Sequence, residues 1–458
     1  MKKTVVINVV GLTKRLIGEH TPFIKSFLEN GGTTYIDPVL PAVTCSAQAT
    51  YMTGKWPSTH GIVGNGWYFK EECEVKFWLQ SNKLVQAEKL WEKMKKENKD
   101  FTCANLFWWY NMYSSVDYSV TPRPNYLADG RKIPDVYSYP PELRDALQNE
   151  LGTFPLFHFW GPNTSIKSSE WIADAAIRTD QQYNPTLTLV YLPHLDYNLQ
   201  RHGLNFDVIG KDLEEIDRVV KKMISYYQDQ DSNLILLSEY GITNVENPVH
   251  LNRVLRSKGY LAIREERGLE LMDVGASKAF AVADHQIAHI YLNDLSIRKQ
   301  LKSLIEDLHG VEKVWDGDEI EKVNLKHDRC GDLVVVACAN SWFTYYYWND
   351  DKKAPDFARM VDIHKKPGYD PVEMLTDPKD KMVLLKVLWK LMKKKLGFRT
   401  VMDIIPLKAD LIKGSHGRIP EDEEDFPILI SNRADLVKAN RVDAIKVFSI
   451  LESHIKNN

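Results

Sequence analysis

Long hydrophobic runs are missing from the 458 residues. No segment approaches the ~18 uninterrupted apolar residues of a membrane-crossing helix. Cysteines at metal-ligand spacing are missing too. Cys45, Cys73, Cys103, Cys330 and Cys338 are scattered and odd in number, which argues against a disulfide framework and fits free thiols in a reducing compartment. Neither charge sign dominates: Lys and Arg number 59 against 62 for Asp and Glu, a net charge of −3. That balance gives no electrostatic basis for a nucleic-acid polymer or a membrane as partner. There is no repeat and no low-complexity tract. The opening MKKTVVINVVGLT lacks the apolar length and cleavage site of a signal peptide. Its β-branched run stops at Gly11, as a buried strand does, and the expected location is the cytoplasm.

What the chain has is 44% hydrophobic and 26% charged residues, enough for a sizeable core. Buried-strand patterns alternate with helical ones. Thr4–Val10 reads as a strand, followed by a helix with Thr21 as cap, Pro22 at its first position and glycines past its end. Strand readings recur at Thr102–Phe107, at TLTLVYL and at NLILL, with SSEWIADAAIRTDQQ and DLEEIDRVVKKMISYYQDQ as helices between them. This alternation predicts an α/β fold with a mostly parallel sheet covered on both faces. Two stretches break the rhythm, 109–159 and 341–371, both aromatic-rich and weakly periodic. The first reads as an ordered insertion and the second as a candidate lid, because linkers are Gly/Ser-rich instead.

In such sheets ligands gather beyond the carboxyl ends of the strands. Asp196 follows one strand, Glu239 and Tyr240 another, and His416 stands between glycines in IKGSHGRI ahead of the late strand PILI. Singly, Asp196 is as well read as a helix cap and His416 as a surface turn residue. Together they mark one sheet edge as the candidate site. Thr44, in LPAVTCSAQATYMTGKWPSTHGIVGNGWY, has two readings. It caps the helix that follows, or it is a nucleophile at a helix N-terminus, where an alkoxide and an incoming phosphate are both stabilised. The cap explains Thr44 alone. The residues by themselves leave both readings open.

That run, with Pro41, Thr44, Thr53-Gly54, Pro57, His60-Gly61-Ile62 and Asn65, resembles the nucleophile segment of the type I phosphodiesterase/nucleotide pyrophosphatase family of the alkaline phosphatase superfamily. HDRCGDLVVVA and GSHG resemble its later segments. The resemblance implies one alkaline phosphatase-like three-layer αβα sandwich over residues 1–458, with insertions forming a cap or lid. It implies a metal-dependent hydrolase of phosphodiester or pyrophosphate-type esters, acting on a small phosphorylated substrate. Thr44 falls on the nucleophile and Asn65 on the residue that steadies the transferred phosphoryl oxygen. Asp196 and His416 fall on ligands of one metal. The expected cofactor is one or two divalent ions, zinc in the first place and manganese as the alternative.

The chain departs from that pattern at the metals. Where the family has Asp-Gly after the first strand, this chain has Val10-Gly11. Ser-Asp-His-Gly becomes Ser238-Glu239-Tyr240-Gly241, and a histidine becomes Gln200. Valine ligates nothing, a phenol loses its proton only near pH ~10, and an amide oxygen favours harder ions than zinc. Replacement ligands are expected from MVDIHKKPGYDP, where Asp362 and His364 are two apart and so share a side in extended chain. Lys365 and Lys366 would then favour an anionic substrate, whereas Asp284 and His285 read as structural. Trp108 and Tyr110 in NLFWWYNMY are expected to wall a substrate pocket, with core packing as the alternative. The lost ligands keep a second reading open, a non-catalytic member binding a phosphorylated ligand or partner. A third is a hydrolase of phosphonates or sulfate esters.

Overall fold

The computed structural model describes residues 1–128 and 131–457. Its centre is a nine-stranded sheet in the order 441–443, 32–37, 428–431, 233–237, 4–9, 187–192, 103–106, 118–122, 136–139. Pairing is parallel from Asn233–Leu237 through Thr4–Val9, Leu187–Leu192 and Cys103–Leu106 to Tyr118–Pro122. It is antiparallel where Ile428–Ser431 joins its neighbours and at the Val136–Tyr139 edge. The three central strands are buried along their whole length, which demands cover on both faces. Two groups of helices supply it. Pro22–Asn30, Lys167–Tyr183 and Phe206–Gln228 pack together, and Thr44–Thr53, Leu90–Glu97 and Lys446–Lys456 form the other group.

The stretch 109–159 is more regular than its sequence suggests. It contributes the strands Tyr118–Pro122 and Val136–Tyr139 and the helix Pro141–Leu151, which together finish one edge of the main sheet. Proline and tyrosine mask the period there because Pro122 and Pro140 lie at strand ends, where no ladder hydrogen bond is needed.

A second, antiparallel sheet is formed by Ala279–Asp284, Ile287–Leu292, Leu333–Ala337 and Val311–Asp316. Its core takes in Tyr345, Tyr346, Tyr347 and Trp348. The first half of the 341–371 stretch is therefore core, and only its second half reaches the cleft described below. A third apolar cluster, with Cys45, Ile62, Val63, Trp67, Ile287 and Val334, joins the Thr44 helix to this sheet. It fixes the hairpin turn at His285 against the carboxyl ends of the main strands.

Candidate active site

Thr44 is the first residue of the helix Thr44–Thr53. Val43 occupies the cap position and makes no side-chain cap bond. The Thr44 hydroxyl bonds the phenol oxygen of Tyr240 at 3.1 Å. Its partner is thus across the site, not on its own helix. The helix ends at Gly54, whose φ of 62° is left-handed and whose missing Cβ leaves room for Phe448. Thr44 is nearly buried but lines a cleft of about 1920 Å³.

The remaining side chains converge on Asp196, in the first turn of the helix His194–His202. Tyr240 donates to Asp196 Oδ1 at 3.2 Å. Gln200 Nε2 donates to Oδ2 at 2.8 Å, and Tyr369 donates to Gln200 Oε1 at 3.0 Å. Burial pushes the Asp196 carboxyl up to about 7, with the Gln200 and Tyr240 bonds resisting the rise. Tyr240 also stacks on the His416 ring, with centroids 3.6 Å apart. His416 gives Nδ1–H to the Ala42 carbonyl at 2.7 Å, so Nε2 is the free ring atom, and that atom is buried without a hydrogen-bond partner. Burial holds this imidazole at about 3. It is neutral, and its 3.9 Å separation from Asp196 Oδ1 is not an ion pair.

Asn65 is held from two sides. Its Oδ1 accepts the Cys45 N–H at 3.1 Å, satisfying an orphan donor of the helix first turn. Its backbone N–H and its Nδ2 donate to Asp284 at 2.7 and 3.0 Å. Gly64 permits that approach, since a Cβ there would stand 3.1 Å from Asp284 Oδ2. Burial pushes the Asp284 carboxyl up to about 7, the Asn65 bonds acting against it. His285 follows with a φ of 61°, and its ring stacks between Tyr369 and His416.

Glu239 lies away from the cleft lining. It accepts from Asn8 and Gln48 on one oxygen, and its other oxygen is buried with no partner. Burial pushes it up to about 8, above what Gln48 and Asn8 offset. Asp362 and His364 line the same cleft as Thr44 and Asp196. Asp362 pairs with Lys365 at 3.1 Å, and the His364 Nδ1 bonds the Phe77 carbonyl at 3.3 Å. No bond or ion pair among the described residues ties either one to Asp196, Glu239 or His416. Lys366 is buried between Asp370 and Glu373, at 2.7 Å from each, while Lys365 faces the cleft. Trp108 and Tyr110 pack in the core, and the aromatic that reaches the cleft from that segment is Trp109.

Tyr369, Gln48 and Asn8 carry the network yet stood out from no motif. Tyr369 sits in the same HKKPGYDP stretch as His364, and its signal was only a tyrosine after a glycine.

The donors can be tested against the two zinc ions that the resemblance implies. One position keeps two donors, the Asp196 carboxylate and the orphaned His416 Nε2, 3.9 Å apart; Gln200 turns its NH₂ to Asp196 and gives its oxygen to Tyr369, so it adds none. The second does not. Val10 is buried and has no donor, burial raises the Tyr240 phenol well above its usual value, and only the second, unpartnered oxygen of Glu239 remains to offer, which is one donor. A separate donor group lies outside the cleft, where His194 Nε2 stands 3.3 Å from Asp212 and 3.2 Å from Glu215.

A mostly parallel sheet with a threonine at a helix N-terminus beyond its strand ends defines an α/β protein whose candidate site lies where such sheets bind ligands. Residues 4–370 match the model of the type I phosphodiesterase/nucleotide pyrophosphatase family, and the chain belongs to that family. A Saccharomyces cerevisiae ectonucleotide pyrophosphatase/phosphodiesterase 1 is 22% identical over 275 residues, which is 54% of this chain and 34% of that protein. The chain thus spans about a third of that curated relative's length. Murine ectonucleotide pyrophosphatase/phosphodiesterase 5, solved as an inactive form with AMP, superposes with a TM-score of 0.60 at 14% identity, covering 99% of this chain and 95% of that one. Phosphonoacetate hydrolase from Sinorhizobium meliloti 1021, solved with phosphonoformate, gives 0.63 at 14% identity over 99% and 96%.

Proposed function

We propose that the chain hydrolyses a small phosphoric ester, a phosphodiester or pyrophosphate, by attack of Thr44 on phosphorus. The observation that carries this reading is the Thr44 hydroxyl at the cleft floor, bonded to Tyr240 at 3.1 Å instead of capping its own helix. Tyr240 has one hydroxyl proton and gives it to Asp196. The proton in the Thr44–Tyr240 bond is therefore the threonine's. As the Thr44 oxygen bonds phosphorus, its proton passes to the Tyr240 oxygen and Tyr240 passes its own to Asp196. The ester oxygen leaves into the open cleft and takes a proton from solvent. Water then cleaves the phosphothreonine, and Thr44 recovers its proton.

Asn65, fixed by Asp284, presents its remaining amide hydrogen to a phosphoryl oxygen. Arg123, Lys132 and Lys365 on the cleft wall favour an anion, and Trp78, Trp109 and Trp160 favour a flat leaving group. A divalent ion held by Asp196 and His416 would polarise a phosphoryl oxygen and, by keeping Asp196 ionised, would take over from it the task of ionising Thr44; these donors suit zinc, with manganese the alternative.

Thr44→Ala tests the reading. With a p-nitrophenyl phosphodiester, turnover should fall at least about a thousandfold, and mass spectrometry of quenched wild-type protein should find the phosphoryl adduct on the Thr44 peptide. Retained turnover in a folded Thr44→Ala protein rules out the assignment. Val10 and Tyr240 favour a second reading, binding of a phosphorylated ligand without hydrolysis. Retained AMP binding by a wild-type protein that turns over nothing with zinc or manganese added would select it.

A further inference from the structure

The helix Val383–Lys395, VLLKVLWKLMKKK, is the only α-helix among the described residues with no buried side chain. Leu384 is 76% exposed, Leu388 61% and Trp389 54%, and the segment beyond it leaves Leu396 at 68% and Phe398 at 64%. At about 100° per residue, Leu384, Leu388, Met392, Leu385 and Trp389 fall within one arc of roughly 140°. The helix therefore turns its apolar face to water. Its opposite side, with Val383, Val387, Leu391 and Lys394, lines the cleft that also holds Thr44, and Leu384 at the edge of the apolar arc borders it.

Charge accompanies this face. The 22 positions from Lys381 to Met402 hold seven cations and no acid. Lys386 pairs with Asp380, Lys390 pairs with Asp403, and Lys393 lies over the Trp389 ring. Lys381, Lys394, Lys395 and Arg399 have no ion pair among the described residues. The overall charge of −3 conceals this local excess.

We propose that this helix docks the protein on an anionic lipid bilayer, lying in the surface with its apolar face in the headgroup–acyl boundary and its lysines on the headgroups. The two features need one occupant that offers both an apolar layer and negative charge, and an anionic membrane offers them side by side. Trp389 belongs at such an interface. A second copy of the chain fits worse, because a two-fold contact would set one lysine cluster against its twin. Thirteen residues make a helix of only ~20 Å at 1.5 Å per residue, too short for a ~30 Å hydrocarbon core. Among the described residues no helix is long and apolar enough to cross a membrane. The helix lies on the surface, with its cleft-lining side turned away from the bilayer.

The test is co-sedimentation of the full chain with vesicles of phosphatidylcholine alone and with a third of phosphatidylserine. Binding should require phosphatidylserine and weaken as salt rises. Two variants of exposed positions separate the contributions, Leu388→Glu with Trp389→Glu, and Lys381, Lys394 and Lys395 all changed to Glu. Each should cut partitioning roughly tenfold or more, with circular dichroism and melting unchanged. Absence of wild-type binding to phosphatidylserine vesicles overturns the proposal, as does binding that both variants retain. A concentration-dependent dimer in sedimentation velocity that Trp389→Glu dissolves also overturns it, by making a second copy the occupant.

Discussion

The floor of the cleft and its mouth are built on opposite rules. At the floor, buried polar groups face one another: Thr44, Tyr240, Asp196, Gln200 and Tyr369 form one hydrogen-bonded chain. At the mouth, apolar side chains of Val383–Lys395 stand in water. A buried network is costly to break, because each group left unpaired loses its full desolvation energy. An exposed apolar face contributes nothing to the folded chain until something covers it. The two regions should therefore respond in different currencies, the floor in rate and stability and the mouth in association.

After the loss of Thr44 itself, the largest effect is expected at Tyr240. Tyr240→Phe keeps the ring stacked on His416 but removes the hydroxyl between Thr44 and Asp196, and should lower kcat by about 10²–10⁴, the range of a lost proton transfer. Steady-state rates with the p-nitrophenyl diester read it. An unchanged kcat would show that the link between Thr44 and Asp196 carries no proton. Asp284→Asn comes next. It turns one acceptor into an NH₂ group facing an Asn65 donor, so a loss of about 1–3 kcal/mol in stability and a lower kcat with little change in KM are expected. Urea denaturation with parallel kinetics checks both. For His364→Ala, held by the Phe77 carbonyl, metal content by mass spectrometry should stay unchanged and kcat within a few-fold; a fall in both together would make it a ligand. The smallest effect belongs to the mouth: Trp389→Ser should leave the melting temperature within a degree or two, whereas Trp348→Ala, at 0% exposure in the second core, should cost about 3–5 kcal/mol. A comparable loss at Trp389 would mean that the helix supports the fold, and the contrast between floor and mouth would fail.

Much of the floor was legible because it rests on local rules. The parallel sheet follows from strand runs such as NLILL alternating with long amphipathic helices, and Thr44 follows from its place before small helix-forming residues. Asp196 was singled out by its place after a buried strand, and His416 by GSHG, a segment that resembles the family's. Tyr369 and Asp284 were not, because their importance lies in what they touch. Tyr369 is 169 positions from Gln200, and Asp284 is 219 from Asn65. The aromatics 345–348 read as part of a lid and pack as core, since composition cannot distinguish an exposed ring from a buried one.

The sequence by itself determined the class of fold and the absence of a side-chain donor at Val10, and through its family resemblance it offered Thr44 as the nucleophile, because periodicity and side-chain functional groups are properties of residues in order. Only the tertiary structure decided that Tyr240 bridges Thr44 to Asp196, that Asp284 fixes Asn65, and that an amphipathic helix turns its apolar face outward. Those are matters of which distant groups meet and which face finds no neighbour, set by how the two sheets pack.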